Sequence, residues 1–264
     1  SLARFDDPRG EFTGFHSTGI NNALTIAGTA SFQHGFLLAG GAISTFDVPL
    51  AFNNSTFGDD INNAGVIVGG YRNGSGGHGF ILANGSFEAV DVPGAQNETY
   101  VAGINDSGQL VGQYRRADTG TFAGFIRSGT SIVTFDAAQA QPNTIAGGIN
   151  NLGQVVGSVN GGGTDSRGFT YQNGVFEFFD APGALRTWAQ GINNHGAIVG
   201  MASSGGALAT EVFVRDGASF TTFALPSLWN ARDIVAGDIA DDGTVVGYFT
   251  DNSTNQTYGF LATI

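Results

Sequence analysis

Acidic residues that interrupt a recurring Gly-Ile phrase are the first candidates for chemistry in this chain. The phrase Gly-Ile-Asn-Asn-x-Gly recurs, and two of its copies carry Asp60 and Asp238 in place of the glycine. Asp59 precedes Asp60, Asp233 lies just upstream of Asp238, and His16 lies four residues before the isoleucine of the first copy. Such residues can bind a divalent cation, and oxygen ligands favour calcium. Alternatively, close carboxylates raise one another's pKa and supply an acid and a base.

Both kinds of chemistry predict a hydrolase. We assign His16, Asp60 and Asp238 as candidate catalytic residues, and Asp59, Asp60, Asp233 and Asp238 as candidate ligands of a divalent cation, with calcium favoured. A bound cation could polarise an ester, lactone or phosphoryl oxygen, or generate hydroxide. No organic cofactor is predicted. The competing interpretation is that these aspartates cap turns and solvate the entrance of a channel.

A second set of residues has the chemistry of a ligand-binding surface. Aromatic faces, guanidinium groups and amides suit sugar rings and carboxylated ligands. The candidates are Tyr100, Arg186, Trp188, Gln190, Trp229 and Arg232. They support an alternative function, a non-catalytic module that binds a carbohydrate or another small ligand. Packing between neighbouring repeats is the competing interpretation for the aromatic residues.

Composition excludes several classes of function. The 264 residues carry a net charge of −12, and all ten basic residues are arginine, so a phosphate backbone would be repelled and nucleic-acid binding is not expected. Cysteine is absent, which rules out disulfides and thiol catalysis. No apolar run approaches the roughly 20 residues of a membrane helix. We expect a monomer that acts on a small molecule or a glycan.

Six repeats position the candidate residues. The isoleucines of the phrase are separated by 41, 43, 45, 43 and 47 residues, and the two ends of the chain together supply one more period. They are Ile20, Ile61, Ile104, Ile149, Ile192 and Ile239. This spacing predicts a single domain over residues 1–264: an all-β, six-bladed β-propeller with four antiparallel strands per blade.

Two features of each repeat refine this prediction. A glycine follows every isoleucine by eight residues, which predicts a bulge or a close approach of two backbones. A phenylalanine further along each repeat is expected to pack between neighbouring sheets. The sixth repeat ends one strand short, and Leu2–Asp6 matches Phe87–Asp91 position for position. We therefore predict that the N-terminal strand completes the last blade, which hides its edge.

The repeat resembles a known family. His78-Gly79-Phe80, Val92-Pro93-Gly94-Ala95 and the segment from Gly103 to Gly112 are similar to the HAF repeat, the probable extracellular repeat of bacteria. The resemblance covers essentially the whole chain. It implies a propeller fold and an extracellular or periplasmic location, but it implies no catalytic residues. The last copy departs from the pattern, because Ala240 replaces the first asparagine.

Overall fold

The structure is a computed structural model that describes residues 1–6, 14–31, 33–137, 142–160, 166–205 and 211–263. These parts of the chain are all-β, and their helical content is two 3₁₀ turns, Phe52–Asn54 and Ser227–Trp229. In chain order the strands are β1 (Leu2–Phe5), β2 (His16–Ile20), β3 (Ile26–Ala30), β4 (His34–Ala39), β5 (Ala42–Phe46), β6 (Thr56–Ile61), β7 (Ile67–Asn73), β8 (Gly76–Ala83), β9 (Ser86–Val90), β10 (Ala95–Ile104), β11 (Leu110–Arg116), β12 (Phe122–Ser128), β13 (Ser131–Phe135), β14 (Asn143–Ile149), β15 (Val155–Asn160), β16 (Ser166–Gln172), β17 (Val175–Phe179), β18 (Arg186–Ile192), β19 (Ile198–Ser203), β20 (Glu211–Asp216), β21 (Ser219–Phe223), β22 (Ala231–Ile239), β23 (Thr244–Asp251) and β24 (Thr257–Thr263).

The strands form antiparallel units of four. Units one to five are β2–β5, β6–β9, β10–β13, β14–β17 and β18–β21, and unit six is β22–β24 with β1. Units one and six are separate four-stranded sheets. A single parallel pair, Gly77 with Glu98, joins units two and three, and Ser166 with Arg186 joins units four and five, so two eight-stranded sheets result. We call β2, β6, β10, β14, β18 and β22 the inner strands.

Every inner strand carries a bulge, and a glycine of the next strand approaches its backbone closely, as predicted. The pairing of β6 with β7 shifts register between Gly58 and Asp60, so two residues of β6 lie opposite one of β7. Beside the shift, a Cβ added to Gly69 would lie 2.0 Å from the carbonyl oxygen of Phe57. The other five units repeat this close approach at Gly28, Gly112, Gly157, Gly200 and Gly247. Only glycine fits there, because any side chain would overlap backbone atoms.

The recurrent phenylalanine of each repeat is fully buried, and its packing confirms the sequence prediction. Phe80, for example, lies in one apolar cluster with Ile67 of its own unit and with Ala27 and Val48, which precede that unit. The six residues are Phe36, Phe80, Phe125, Phe169, Phe213 and Phe260. The core therefore lies between neighbouring units, since each sheet covers the face of the next.

The N-terminal strand completes unit six. β1 pairs with β24 in antiparallel register from Leu2 opposite Ala262 to Phe5 opposite Gly259. The Phe5 ring covers Gly259, just as Phe46 covers Gly35 in unit one. The predicted equivalence of β1 with the outer strands is therefore confirmed by its pairing and by its packing.

Hydrogen bonds connect each turn that follows an inner strand to the corresponding turn of the next unit. Within one turn, Asn62 Oδ1 accepts hydrogen bonds from the amides of Ala64 and Val66, and Asn62 Nδ2 donates to the carbonyl oxygen of Asn105 in the next unit. Asn21, Asn105, Asn150 and Asn193 donate to the following turn in the same way. We call residues 21–25, 62–66, 105–109, 150–154, 193–197 and 240–244 the turn end.

A second set of hydrogen bonds at the turn end passes through all six units. The backbone amide of Asn63 donates to Asp106 Oδ1, and the amide of Asp241 in unit six donates to Asn22 Oδ1 in unit one. The inner strands contact one another in the same order, and β22 contacts β2.

Within the described residues, no helix is long and apolar enough to cross a membrane.

Candidate functional site

A cavity of about 560 Å³ opens between the inner strands at the end opposite the turn end. All six residues two positions before the repeat isoleucines line its walls, together with most of those three and four positions before them and with Asp60, Gly148 and Asp238 one position before. Its polar side chains are His16, Thr18, Thr29, Asp59, Asp60, Arg72, Tyr100, Gln113, Gln190, Asp238 and Tyr248. The cavity thus brings together six residues that the sequence singled out: His16, Asp59, Asp60, Tyr100, Gln190 and Asp238.

The bulge in β6 explains why two consecutive aspartates face one cavity. Side chains on a regular strand alternate between its two faces. The register shift between Gly58 and Asp60 breaks that alternation, and both Asp59 and Asp60 line the cavity. The same shift occurs between Ala236 and Asp238 in β22.

Asp60 and Asp238 lie at the inner end of the cavity and bridge neighbouring units. Asp60 accepts hydrogen bonds from the amide of Ile61 at 2.7 Å and from that of Ile104, in the next unit, at 2.8 Å. Asp238 Oδ2 accepts from the amide of Ile20 at 3.3 Å. Both carboxyl groups also border a smaller cavity of about 60 Å³ that leads to the turn end. They therefore separate the two cavities.

Burial makes these carboxyl groups weak acids. Loss of hydration, reinforced by the charge of Asp60, raises the pKa of Asp59 to about 8. Burial also raises the pKa of Asp60, although the amides of Ile104 and Ile61 oppose this by stabilising its charged form. Burial and the charge of Asp60 raise the pKa of Asp238 well above its usual value. At neutral pH the site therefore holds a protonated carboxyl group, that of Asp59, beside Asp60, whose charged form the two amides stabilise.

His16 lies against Tyr248 of the neighbouring unit. The two rings meet edge to face, with centroids 4.4 Å apart. Burial lowers the pKa of His16, so its imidazole is neutral at neutral pH. Burial raises the pKa of Tyr248 to about 12, and the charges of Asp59 and Asp233 add to this effect. The hydroxyl of Tyr248 therefore stays protonated and can donate a hydrogen bond.

Five polar residues of the cavity were not among the predicted site residues: Thr18, Thr29, Arg72, Gln113 and Tyr248. All but Thr18 lie on the second strand of a unit, whereas the predicted site residues came from the loops and inner strands. For Thr29, Gln113 and Tyr248 the sequence contains a usable indication, because the residue after the fixed glycine differs in every repeat. Those residues are Thr29, Gly70, Gln113, Ser158, Met201 and Tyr248. Each pairs with the residue four positions before the repeat isoleucine, such as Gln113 with Tyr100.

Four candidate ligand-binding residues and one candidate metal ligand lie outside the cavity lining. Trp188 packs beside the apolar cluster that contains Val199 and Met201. Trp229 stacks on Phe249 with centroids 5.2 Å apart. Arg186 lies at the start of β18, where it pairs with Ser203. Arg232 and Asp233 form an ion pair with each other at 3.0 Å.

The carboxylates do not form a compact set of metal ligands. Within the described ranges, no group of three or more histidine, cysteine, aspartate or glutamate side chains is close enough to hold a metal ion. Both Asp60 oxygens already accept backbone hydrogen bonds. The predicted site for a divalent cation therefore stays a prediction, and the hydrogen bonds to Asp60 favour a charged carboxylate that can accept a proton.

The sheets and the central cavity define an all-β protein of propeller type. No family model and no curated protein sequence matches the chain, so the HAF resemblance stays a prediction. Three solved structures of propeller type are similar, each at 12% identity. A gluconolactonase from Xanthomonas campestris has a TM-score of 0.57 over 99% of this chain and 95% of its own. TolB from Acinetobacter baumannii also scores 0.57, over 96% of this chain and 65% of its own. An arginine mutant of AofleA from Arthrobotrys oligospora scores 0.52, over 99% and 86%. This likeness shows the fold alone.

Proposed function

We propose that the chain is a six-bladed β-propeller whose axial cavity hydrolyses a small ester or lactone. The cyclic order of contacts among the inner strands and the hydrogen bond from Asp241 to Asn22 support six blades arranged in a ring. One observation carries the functional proposal: Asp59, Asp60 and Asp238 face a single cavity together with His16.

Each carboxyl group takes a role that follows from its environment. Asp60, whose charged form is stabilised by two backbone amides, is the general base that removes a proton from water. The hydroxide adds to the carbonyl carbon, and protonated Asp238 donates a hydrogen bond to the oxygen that becomes negative. The C–O bond then breaks, and Asp59 protonates the leaving alkoxide. Proton exchange with solvent restores Asp60 and Asp59, so water and the ester become an acid and an alcohol.

His16 and the cavity size complete the proposal. A neutral imidazole beside Tyr248 can position the attacking water or accept a proton from it. A cavity of about 560 Å³ suits a ligand the size of a sugar derivative. The solved gluconolactonase of similar fold makes an aldonolactone a sensible first probe.

Hydrolysis of glucono-δ-lactone, followed by acid release, tests this proposal. We expect turnover by the wild-type protein and a loss of about 10²- to 10⁴-fold in kcat/KM for Asp60→Asn. Asp106→Asn is the matched control, because Asp106 lies at the turn end of the neighbouring unit and outside the main cavity. Rates that equal the uncatalysed reaction across a panel of lactones and esters would contradict the proposal. Specific binding of a sugar without turnover would instead support the binding module.

A chelator separates the two forms of the hydrolase. Proton transfer by carboxyl groups alone predicts that EDTA leaves kcat/KM unchanged. If EDTA abolishes turnover and calcium restores it, the earlier prediction of a calcium site at the aspartates is supported and the acid–base steps given above are wrong.

A further inference from the structure

A group of polar side chains on one wall of the cavity takes no part in the proposed chemistry. Arg72 on β7, Tyr100 on β10 and Gln113 on β11 all line the cavity. Arg72 donates a hydrogen bond from Nη2 to the Tyr100 hydroxyl at 3.1 Å. Tyr100 and Gln113 are directly paired across the two strands. The three side chains are thus adjacent, although two different units supply them.

The position of Tyr100 depends on two glycines of the preceding unit. A Cβ added to Gly77 would lie 2.7 Å from the Tyr100 hydroxyl, and one added to Gly70 would lie 3.1 Å from Cδ1 of the ring. In unit six, Tyr248 occupies the position that corresponds to Gly70. The glycines of unit two therefore leave a space that Tyr248 would fill in unit six. Tyr100 occupies this space, and its hydroxyl lies against Arg72.

Gln113 carries an unsatisfied acceptor. Its Oε1 is buried and, among the described residues, has no hydrogen-bond partner. A buried polar atom without a partner costs about 1–3 kcal/mol, so such atoms are uncommon in folded proteins unless a bound group satisfies them. A hydroxyl of a ligand would supply the missing donor.

Arg72 supplies a positive charge. It is the only arginine that lines the cavity among the described residues. In unit three the corresponding residue is Arg115, which pairs with Glu98 at 2.7 Å. Arg72 has no carboxylate within ion-pair distance in the described part of the chain, and it is exposed. Its guanidinium is therefore available to an anionic group that enters from the mouth.

We propose that Arg72, Tyr100 and Gln113 form a recognition subsite for a hydroxylated ring that carries a carboxylate. Arg72 and the Tyr100 hydroxyl bind the carboxylate, and Gln113 accepts a hydrogen bond from a ring hydroxyl. As a substrate class, this rests on the proposed function and narrows it to acidic sugar derivatives. Because burial keeps Asp59 protonated, the cavity does not repel such an anion as strongly as its composition suggests.

Calorimetric binding of two sugars tests the subsite without any need for turnover. Methyl glucuronide and methyl glucoside differ at one carbon, which carries a carboxylate in the first and a hydroxymethyl group in the second. We expect the wild-type protein to bind the glucuronide at least 10-fold more tightly. Arg72→Gln should remove this preference and keep the affinity for the glucoside. Gln113→Leu should weaken the binding of both sugars about 10-fold.

Arg115→Gln is the matched control, because it removes the corresponding arginine of unit three and should keep the preference. Equal affinity for the two sugars in the wild-type protein, binding of neither, or a preference that survives in Arg72→Gln would overturn the subsite. Failure of the hydrolase proposal alone gives a different result. The wild-type protein would then still prefer the glucuronide, but it would hydrolyse none of the lactones and esters tested.

Discussion

Aspartates at the two ends of the molecule have opposite chemistry. At the turn end, Asp106 accepts hydrogen bonds from Asn63 and Asn151, which outweigh its partial burial and lower its pKa. In the cavity, burial dominates and raises the pKa of Asp59 to about 8. The difference lies in the surroundings: amide donors stabilise the charge of Asp106, whereas Asp59 is buried and lies near the charge of Asp60.

The two ends of the molecule therefore have different roles: the turn end stabilises the fold, and the cavity holds the groups that can transfer protons. The turn end repeats the same asparagine bonds in unit after unit, so it stabilises the connection between neighbouring sheets. The cavity end differs in every unit, and its weak acids are not required for those bonds. Changes at the turn end should therefore affect folding, and changes in the cavity should affect catalysis and its pH dependence.

The largest expected effect on stability is at the turn end. Asn105 is 2% exposed; its Oδ1 accepts from the amides of Ser107 and Gln109, and its Nδ2 donates to the carbonyl oxygen of Asn150. Asn105→Ala removes these bonds and leaves buried groups unpaired, so we expect about 3 kcal/mol less stability in urea unfolding. The kcat/KM of the folded variant should match that of the wild type.

Unit six supplies the internal control for that variant. Ala240 occupies the corresponding position, and there Asp242 Oδ1 accepts from the amide of Thr244 instead. Ala240→Asn should change the stability much less than Asn105→Ala does. If Asn105→Ala unfolds at the wild-type urea concentration, the bonds between turns do not stabilise the fold.

The features that could be predicted from the sequence are those that repeat. The glycine eight residues after each isoleucine and the buried phenylalanine are required in every unit by contacts that every unit makes. The pairing of β1 with unit six followed from the match of Leu2–Asp6 with Phe87–Asp91. The asparagine caps within the turns were also predictable, since Asn-Asn-x-Gly is typical of a turn.

The features that could not be predicted depend on contacts between units. The asparagine bond to the next turn requires the distance between neighbouring sheets, which no single repeat contains. Arg72 and Tyr248 face the cavity from second strands, where adjacent residues point to opposite faces. Trp188 has the same repeat position as Tyr100, but it packs beside the apolar cluster that contains Val199 and Met201. Repeat position therefore identified the strand correctly and left the direction of the side chain open.

A smaller effect on stability should appear in the cavity as pH rises. The folded protein holds the Asp59 proton up to about pH 8, whereas the unfolded chain releases it near pH 4. Since the folded state binds more protons in this window, its stability falls as pH increases from 4 to 8. We expect the melting temperature of the wild type, measured relative to that of Asp59→Asn, to fall by about 5 °C between pH 5 and pH 7, since two pH units correspond to about 2.7 kcal/mol. A constant difference between the two proteins would show that Asp59 is ionised throughout.

The smallest effect should have the opposite sign and occur at the turn end. Hydrogen bonds from Asn63 and Asn151 lower the pKa of Asp106, so its contribution to stability is present above about pH 4 and is lost as pH falls through the lowered value. Asp106→Asn puts an amide donor against the donors of those asparagines. We therefore expect this variant to be about 1 kcal/mol less stable than the wild type at pH 6. The two should converge as pH falls below the lowered pKa of Asp106, because its carboxyl group is then protonated. If the difference instead grows as pH falls, the turn-end carboxylate is not stabilised by its amide neighbours, and the contrast between the two ends is wrong.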